Sequence, residues 1–312
     1  MTQAAQAVVQ KAQFVDRLAP QAEWRLVHRI ADTAMPSVTR ALHAAFWGPE
    51  DETTWGRVID ALQMSDAGWA TYKVNMDALA ERLQQKVWPL IVAVYARTNG
   101  MTARILPQRE ALMKRATKRL IMLRSTSAPL TNSYAQAWAA QNGARFVRDL
   151  TIETREAVRT FIEGALGQGI PPRRLAQQLR EVVGLTTQQM GTLNRQRDRW
   201  IADGLSVDAV QRRIEFAYAK ALRQRIETIV RTEALRASNA GQVDAWREAR
   251  GDGLLDASLV KEWIVTPDDR LCPLCEPLDG EQVAIDAQFP GGVTEPPLHP
   301  NCRCAVGLER PA

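Results

Sequence analysis

All four cysteines of this 312-residue chain fall close to its end, as Cys272, Cys275, Cys302 and Cys304. No other feature restricts the fold so much. The segment that carries them, from Gly251 onward, is punctuated by Pro, Gly and Asp. It offers only short β-type runs, Lys261 to Thr266, Gln282 to Ile285 and Cys304 to Leu308. A unit of about sixty residues built in this way is poorly served by a hydrophobic core alone and often needs a metal or a supporting helix.

The spacing points to the metal. The Cys272-x-x-Cys275 knuckle lets two thiolates reach one ion, and His299 with Cys302 repeats the same gap further along the chain. The expected ligands are Cys272, Cys275, His299 and Cys302, with Cys304 as the substitute. Four protein ligands leave no open position, so the site reads as structural zinc without a catalytic role. Reduced thiols without metal, an oxidised pair and an accidental cluster are the competing readings. His28 and His43 have no such company and read as ordinary helix residues.

Nothing at the N-terminus (MTQAAQAVVQKAQF) resembles an export signal, so residence in a reducing cytosol is expected. The best apolar stretch, Val87 to Ala96, contains Pro89 and is about half of a bilayer span, so no membrane partner is expected.

Most of the first 250 residues carry apolar residues at spacings of three and four, which predicts helices. Pro36, Gly48-Pro49, Gly68, Gly100, Pro107, Pro129 and Gly143 are read as punctuation between them. Trp24, Trp47, Trp55, Trp69 and Trp88 are read as core anchors. A second helical group is expected to start near Thr151. Pro171-Pro172 opens the next helix, with Gly184 placed to end it. Thr186 and Gln189 have capping-box spacing ahead of a short helix through Trp200. The longest pattern runs from Ser206 to Arg250, with Val207, Val210, Ile214, Ala217, Leu222, Ile226 and Val230 facing inward. The fold class is therefore mainly α, with a small C-terminal α+β, Cys/His-rich unit. The expected division is a helical region 1–145, a helical middle domain 146–250 with a long spine helix, and the unit 251–312.

The formal charge of +5 is unevenly spread. Arg97 to Arg124 holds eight basic residues against one acid, Glu110, and Pro171 to Arg225 holds eleven against five. In the first stretch Pro107 suits a first helical position. Leu112, Ala116, Leu120 and Leu123 then share one face while Lys114, Arg115, Lys118 and Arg119 share the other. That cationic face is either a solvated surface or a contact for DNA or an acidic partner. Paired catalytic carboxylates, a Ser-His-Asp order and a phosphate-cradling Gly loop are all missing from the sequence, so no enzyme and no small-molecule substrate are expected.

The run DDRLCPLCEPLDG followed by PPLHPNCRC resembles the C-terminal signature of the phage Mu F-like head morphogenesis proteins of tailed phages. Upstream, RQRIETIVRTEALRASNAGQ is similar to the arginine-threonine-glutamate helix of that family, here Arg231-Thr232-Glu233, and GIPPRRLAQQL with GLTTQQMGTL resembles its middle helices. The resemblance covers about residues 150 to 308. It implies a minor capsid protein in the virion head, made in the host cytoplasm, associated with the portal and other head proteins, and acting in head assembly, DNA packaging or DNA delivery. Some relatives carry an effector domain after this module, and the short run beyond Cys304 leads us to expect none here.

Arg231 and Glu233 lie two apart on a helix and point about 200° from each other, so each is expected to dock a different neighbour, one of them the Cys-rich unit. Two other functions compete with the head protein. One is a zinc-supported nuclease of the His-Asn-His kind using His299 and Asn301, which fails if His299 ligates metal, since it cannot then act as base. The other is a non-enzymatic DNA-binding protein using the face of Lys114, Arg115, Lys118 and Arg119.

Overall fold

The computed structural model describes residues 3–46, 76–114, 133–166, 183–266 and 272–311. It is mainly α, with helices α1 (Gln3–Phe46), α2 (Met76–Arg82), α3 (Trp88–Lys114), α4 (Ser133–Leu166), α5 (Thr187–Ala202) and α6 (Val207–Gly251). One π-helical turn, Leu83–Val87, joins α2 to α3. Three short strands follow α6: β1 (Val260–Ile264), β2 (Gln282–Ala284) and β3 (Ala305–Glu309).

The helix starting at Thr187 begins as the sequence predicts. Thr186 accepts from the backbone N–H of Gln189 at 3.1 Å, and Gln189 Oε1 accepts from the backbone N–H of Thr186 at 3.0 Å, so two orphan donors are satisfied together. The long spine is also present as α6, although Val207 at its start is 72 % exposed and not inward as the periodicity implied. It belongs to the first turn, where few neighbours reach it.

Several expected breaks lie inside helices. Pro36 is in α1, Gly100 and Pro107 are in α3, and Gly143 is in α4. Pro36 is exposed, so the carbonyl that loses its partner can be hydrated. Gly143 is a packing residue: a Cβ there would come within 2.8 Å of the Trp88 indole. Thr151 does not start a helix but sits within α4, its hydroxyl donating back to Val147 O at 2.9 Å. The helix expected from Pro171, and Trp47, Trp55 and Trp69, lie outside the described residues; Trp88 is buried.

The chain divides into two compact units, one of 1–36, 90–139 and 229–312, the other of 37–89 and 140–228. In the second, Phe161 of α4 packs edge-on against Tyr218 of α6, and Arg225 reaches Glu153 at 2.5 Å. Gly184, at φ +97°, sits where a Cβ would strike Phe46.

In the first unit, residues 237 to 246 of α6 are buried without interruption. A helix enclosed on all sides cannot be amphipathic. Its small residues allow close approach, and at Gly241 a Cβ would lie 2.4 Å from Tyr95 O of α3. Tyr95 donates to Asp244 at 2.6 Å, Thr98 pairs with Ser238 at 2.8 Å, and Ser238 donates to Val27 O of α1 at 3.2 Å. These contacts bind α1, α3 and α6 into the support on which the C-terminal unit rests.

That unit is an antiparallel sheet of order β2-β1-β3. Lys261 pairs with Val283 on one side and Leu308 on the other. Its core gathers Trp246 of α6 with Trp263, Phe289, Ile285, Val306 and Leu308, and Cys275, Cys302 and Cys304 belong to the same cluster. The outer edge of β3 is covered by α6. Asn239 Oδ1 accepts from Val306 N at 3.2 Å, its Nδ2 donates to Cys304 O at 3.4 Å, and Gln242 donates to Val306 O at 3.3 Å. Edge groups that would otherwise be open to pairing are thus satisfied.

Candidate metal centre

The two ligand-bearing turns are built alike. Cys275 N donates to Cys272 O at 2.9 Å, and Cys302 N donates to His299 O at 3.1 Å, so each x-x gap closes on itself and brings its two side chains to one side. Asn301, inside the second turn, adopts φ +60°, a conformation that Asn tolerates better than most residues.

The turns bring their side chains together. Cys275 Sγ lies 3.2 Å from His299 Nε2 and 3.8 Å from Cys302 Sγ. Two overlapping trios result, Cys272, Cys275 and His299 in one, Cys275, Cys302 and Cys304 in the other, with Cys275 common to both. Each trio keeps its donor atoms within 4.8 Å of one another, but the expected four, Cys272, Cys275, His299 and Cys302, are divided between the two trios.

Thiolates and an imidazole are the donor types that a thiophilic ion such as zinc takes. Zinc–sulfur bonds of about 2.3 Å imply a sulfur–sulfur edge of about 3.8 Å. That is the separation between Cys275 and Cys302. His299 Nδ1 donates to Pro300 O at 2.8 Å, which leaves the Nε2 lone pair facing Cys275, the tautomer that a metal-ligating histidine uses. The cysteines are free thiols, three of them buried.

Electrostatics in this cluster favour one charge before the others. Hydrogen bonding from Cys304 draws the Cys302 thiol down to about 5. Burial, reinforced by the charge on Cys302, raises Cys275 to about 12. Cys304 is raised by donating to Cys302 and by burial. A buried thiolate held by neighbouring thiols is an anionic pocket for a cation.

The Arg-Thr-Glu triplet lies on α6 beside this turn, and its middle residue bonds to the turn. Thr232 Oγ1 accepts from Asn301 N at 3.0 Å. Glu233 pairs with Arg236 one turn along, and Arg231 is exposed. From α1, Trp24 Nε1 and His28 Nε2 donate to Arg303 O at 3.2 and 2.9 Å, and Thr266 donates to the same carbonyl at 2.7 Å. Burial holds His28 below the ordinary histidine value. Periodicity could not have found these groups, because each binds a single backbone atom distant in sequence. The Lys114 side chain and Arg115, Lys118 and Arg119 lie outside the described residues.

A mainly helical protein that ends in a small sheet with a converging Cys/His cluster is thus defined by geometry alone. Residues 156–307, just under half of the chain, match the family model described as Phage Mu protein F like protein. The match points to a phage head morphogenesis protein. No curated protein and no solved structure matches the chain. No helix among the described residues is long and apolar enough to cross a membrane.

Proposed function

We propose that this chain is a minor capsid protein of a tailed phage or prophage, present in few copies at the portal vertex and acting in head assembly, DNA packaging or DNA delivery. The supporting observation is the family match over 156–307, which contains both the Arg-Thr-Glu helix and the whole Cys/His cluster. Zinc is the cofactor in this reading, held by Cys272, Cys275, His299 and Cys302 with Cys304 as the alternative donor. When bound, it supplies cross-linking of the two turns, which a unit of this size uses in place of a larger core. Arg231 and Glu233 each dock a different neighbour, one of them the Cys-rich unit, and Lys114, Arg115, Lys118 and Arg119 serve an acidic portal surface or DNA.

Quantitative mass spectrometry of gradient-purified particles tests the assignment. Substoichiometric recovery with portal and major capsid proteins is the expected result. Clean absence, with the other head proteins detected, contradicts it.

A further inference from the structure

The cationic stretch 171–225 takes no part in the metal centre, yet its described portion, 183–225, forms a defined groove. Helices α5 and α6 are joined by the short turn 203–206, and between them runs a groove of about 700 Å³. Gln188, Gln196 and Trp200 line it from α5, and Arg213, Phe216 and Lys220 line it from α6. No acidic side chain is among its lining residues.

Three features of this groove belong together chemically. The Phe216 ring is 67 % exposed, unusual for so large an apolar side chain. The guanidinium of Arg213 lies 5.8 Å from the centre of the Trp200 ring, which holds a cation beside an aromatic face. Arg213, Phe216 and Lys220 follow one another at spacings of three and four, so cation, ring and cation form a line along α6. Opposite them, the glutamine amides can both donate and accept hydrogen bonds.

We propose that the α5–α6 groove binds a single strand of nucleic acid, with Arg213 and Lys220 on phosphates and Phe216 and Trp200 stacking on bases. Aromatic platforms beside a cationic track are how strands are held without sequence readout. From Gln188 to Trp200 the helix rises about 18 Å, enough for a few nucleotides, the lower end of known site sizes. A groove between helices packed at about 8–10 Å is too narrow to admit a duplex. An amphipathic helix would need apolar pockets for its anchors, whereas the apolar lining other than the two rings, Leu193, Ala217 and Ala221, is buried or small.

The test is fluorescence anisotropy of a short labelled oligothymidylate titrated with the full-length protein over a range of salt concentrations. Unlabelled duplex and a poly-glutamate peptide serve as competitors. Phe216→Ala, at an exposed position, is expected to weaken binding roughly fivefold or more with the salt dependence unchanged. Arg213→Ala and Lys220→Ala are each expected to weaken binding and to flatten the log–log salt slope by about 0.7. Arg155→Ala, exposed on α4, is the control and is expected to change neither. The proposal is overturned if oligothymidylate does not bind, if Phe216→Ala leaves affinity intact, or if duplex or poly-glutamate displaces the strand at lower concentration than unlabelled oligothymidylate does. None of these outcomes depends on whether the protein resides in a phage head.

Discussion

Thr232, at the centre of the Arg-Thr-Glu triplet, accepts a hydrogen bond at 3.0 Å from the backbone N–H of Asn301, within the turn from His299 to Cys302. The long helix and the candidate metal turn are therefore joined by a buried hydroxyl. Thr232→Val keeps the shape and removes the acceptor, which orphans that N–H. The expected cost is about 1–2 kcal/mol in chemical denaturation, with Thr232→Ser close to wild type. Equal stability of the Val and Ser variants would show that the hydroxyl does not hold the turn.

Gly241 and Gly100 look alike in sequence but stand in opposite surroundings. A Cβ at Gly241 would meet Tyr95 O at 2.4 Å, backbone that cannot swing away, whereas one at Gly100 meets nothing within 4 Å. Gly241→Ala is expected to destabilise by more than about 2 kcal/mol. Gly100→Ala, inside α3, is expected to stabilise by about 0.5–1 kcal/mol through helix propensity. Thermal unfolding of the two variants side by side checks both signs.

Lys261 is an inward-facing residue of β1, wholly buried, with Nζ donating to Thr294 O at 2.6 Å and lying 5.2 Å from the centre of the Phe289 ring. Burial pushes its ammonium down from 10.5 to about 8, opposed by the Glu295 carboxylate and assisted by Arg247. Between these two values the unfolded chain holds more protons than the folded one, so this lysine's contribution to stability rises with pH. Below about 8 both states are charged and the penalty is constant, on the order of 3 kcal/mol. Wild type should therefore gain on Lys261→Met as pH increases from 8 to 10.5 in denaturation experiments. Parallel curves would mean that the ammonium is not desolvated.

What was legible in the sequence was what local chemistry decides. Thr186 with Gln189, the helical run from Ser206, the three β-type runs and the clustering of Cys272, Cys275, His299, Cys302 and Cys304 each depend on near neighbours. Other features depend on distant partners. Gly143 reads as a break until Trp88 is seen against it, and Thr151 reads as a helix start until its hydroxyl is seen bonding backwards. Asn239 and Gln242 carry no local signal of their role, yet they cover the edge of β3. Spacing cannot rank Cys304 against Cys272, because the fold gives Cys275 to both trios.

The most direct measurement is metal content by inductively coupled plasma mass spectrometry on the full-length protein, purified under reducing conditions without chelator, beside Cys275→Ser. Cys275 is the donor shared by both trios, so its loss should be the most damaging. The account predicts about one equivalent of zinc in the wild type, little in the variant, and a lowered unfolding temperature on chelation. A wild-type protein with no bound metal, and a melting temperature indifferent to chelator, would contradict it.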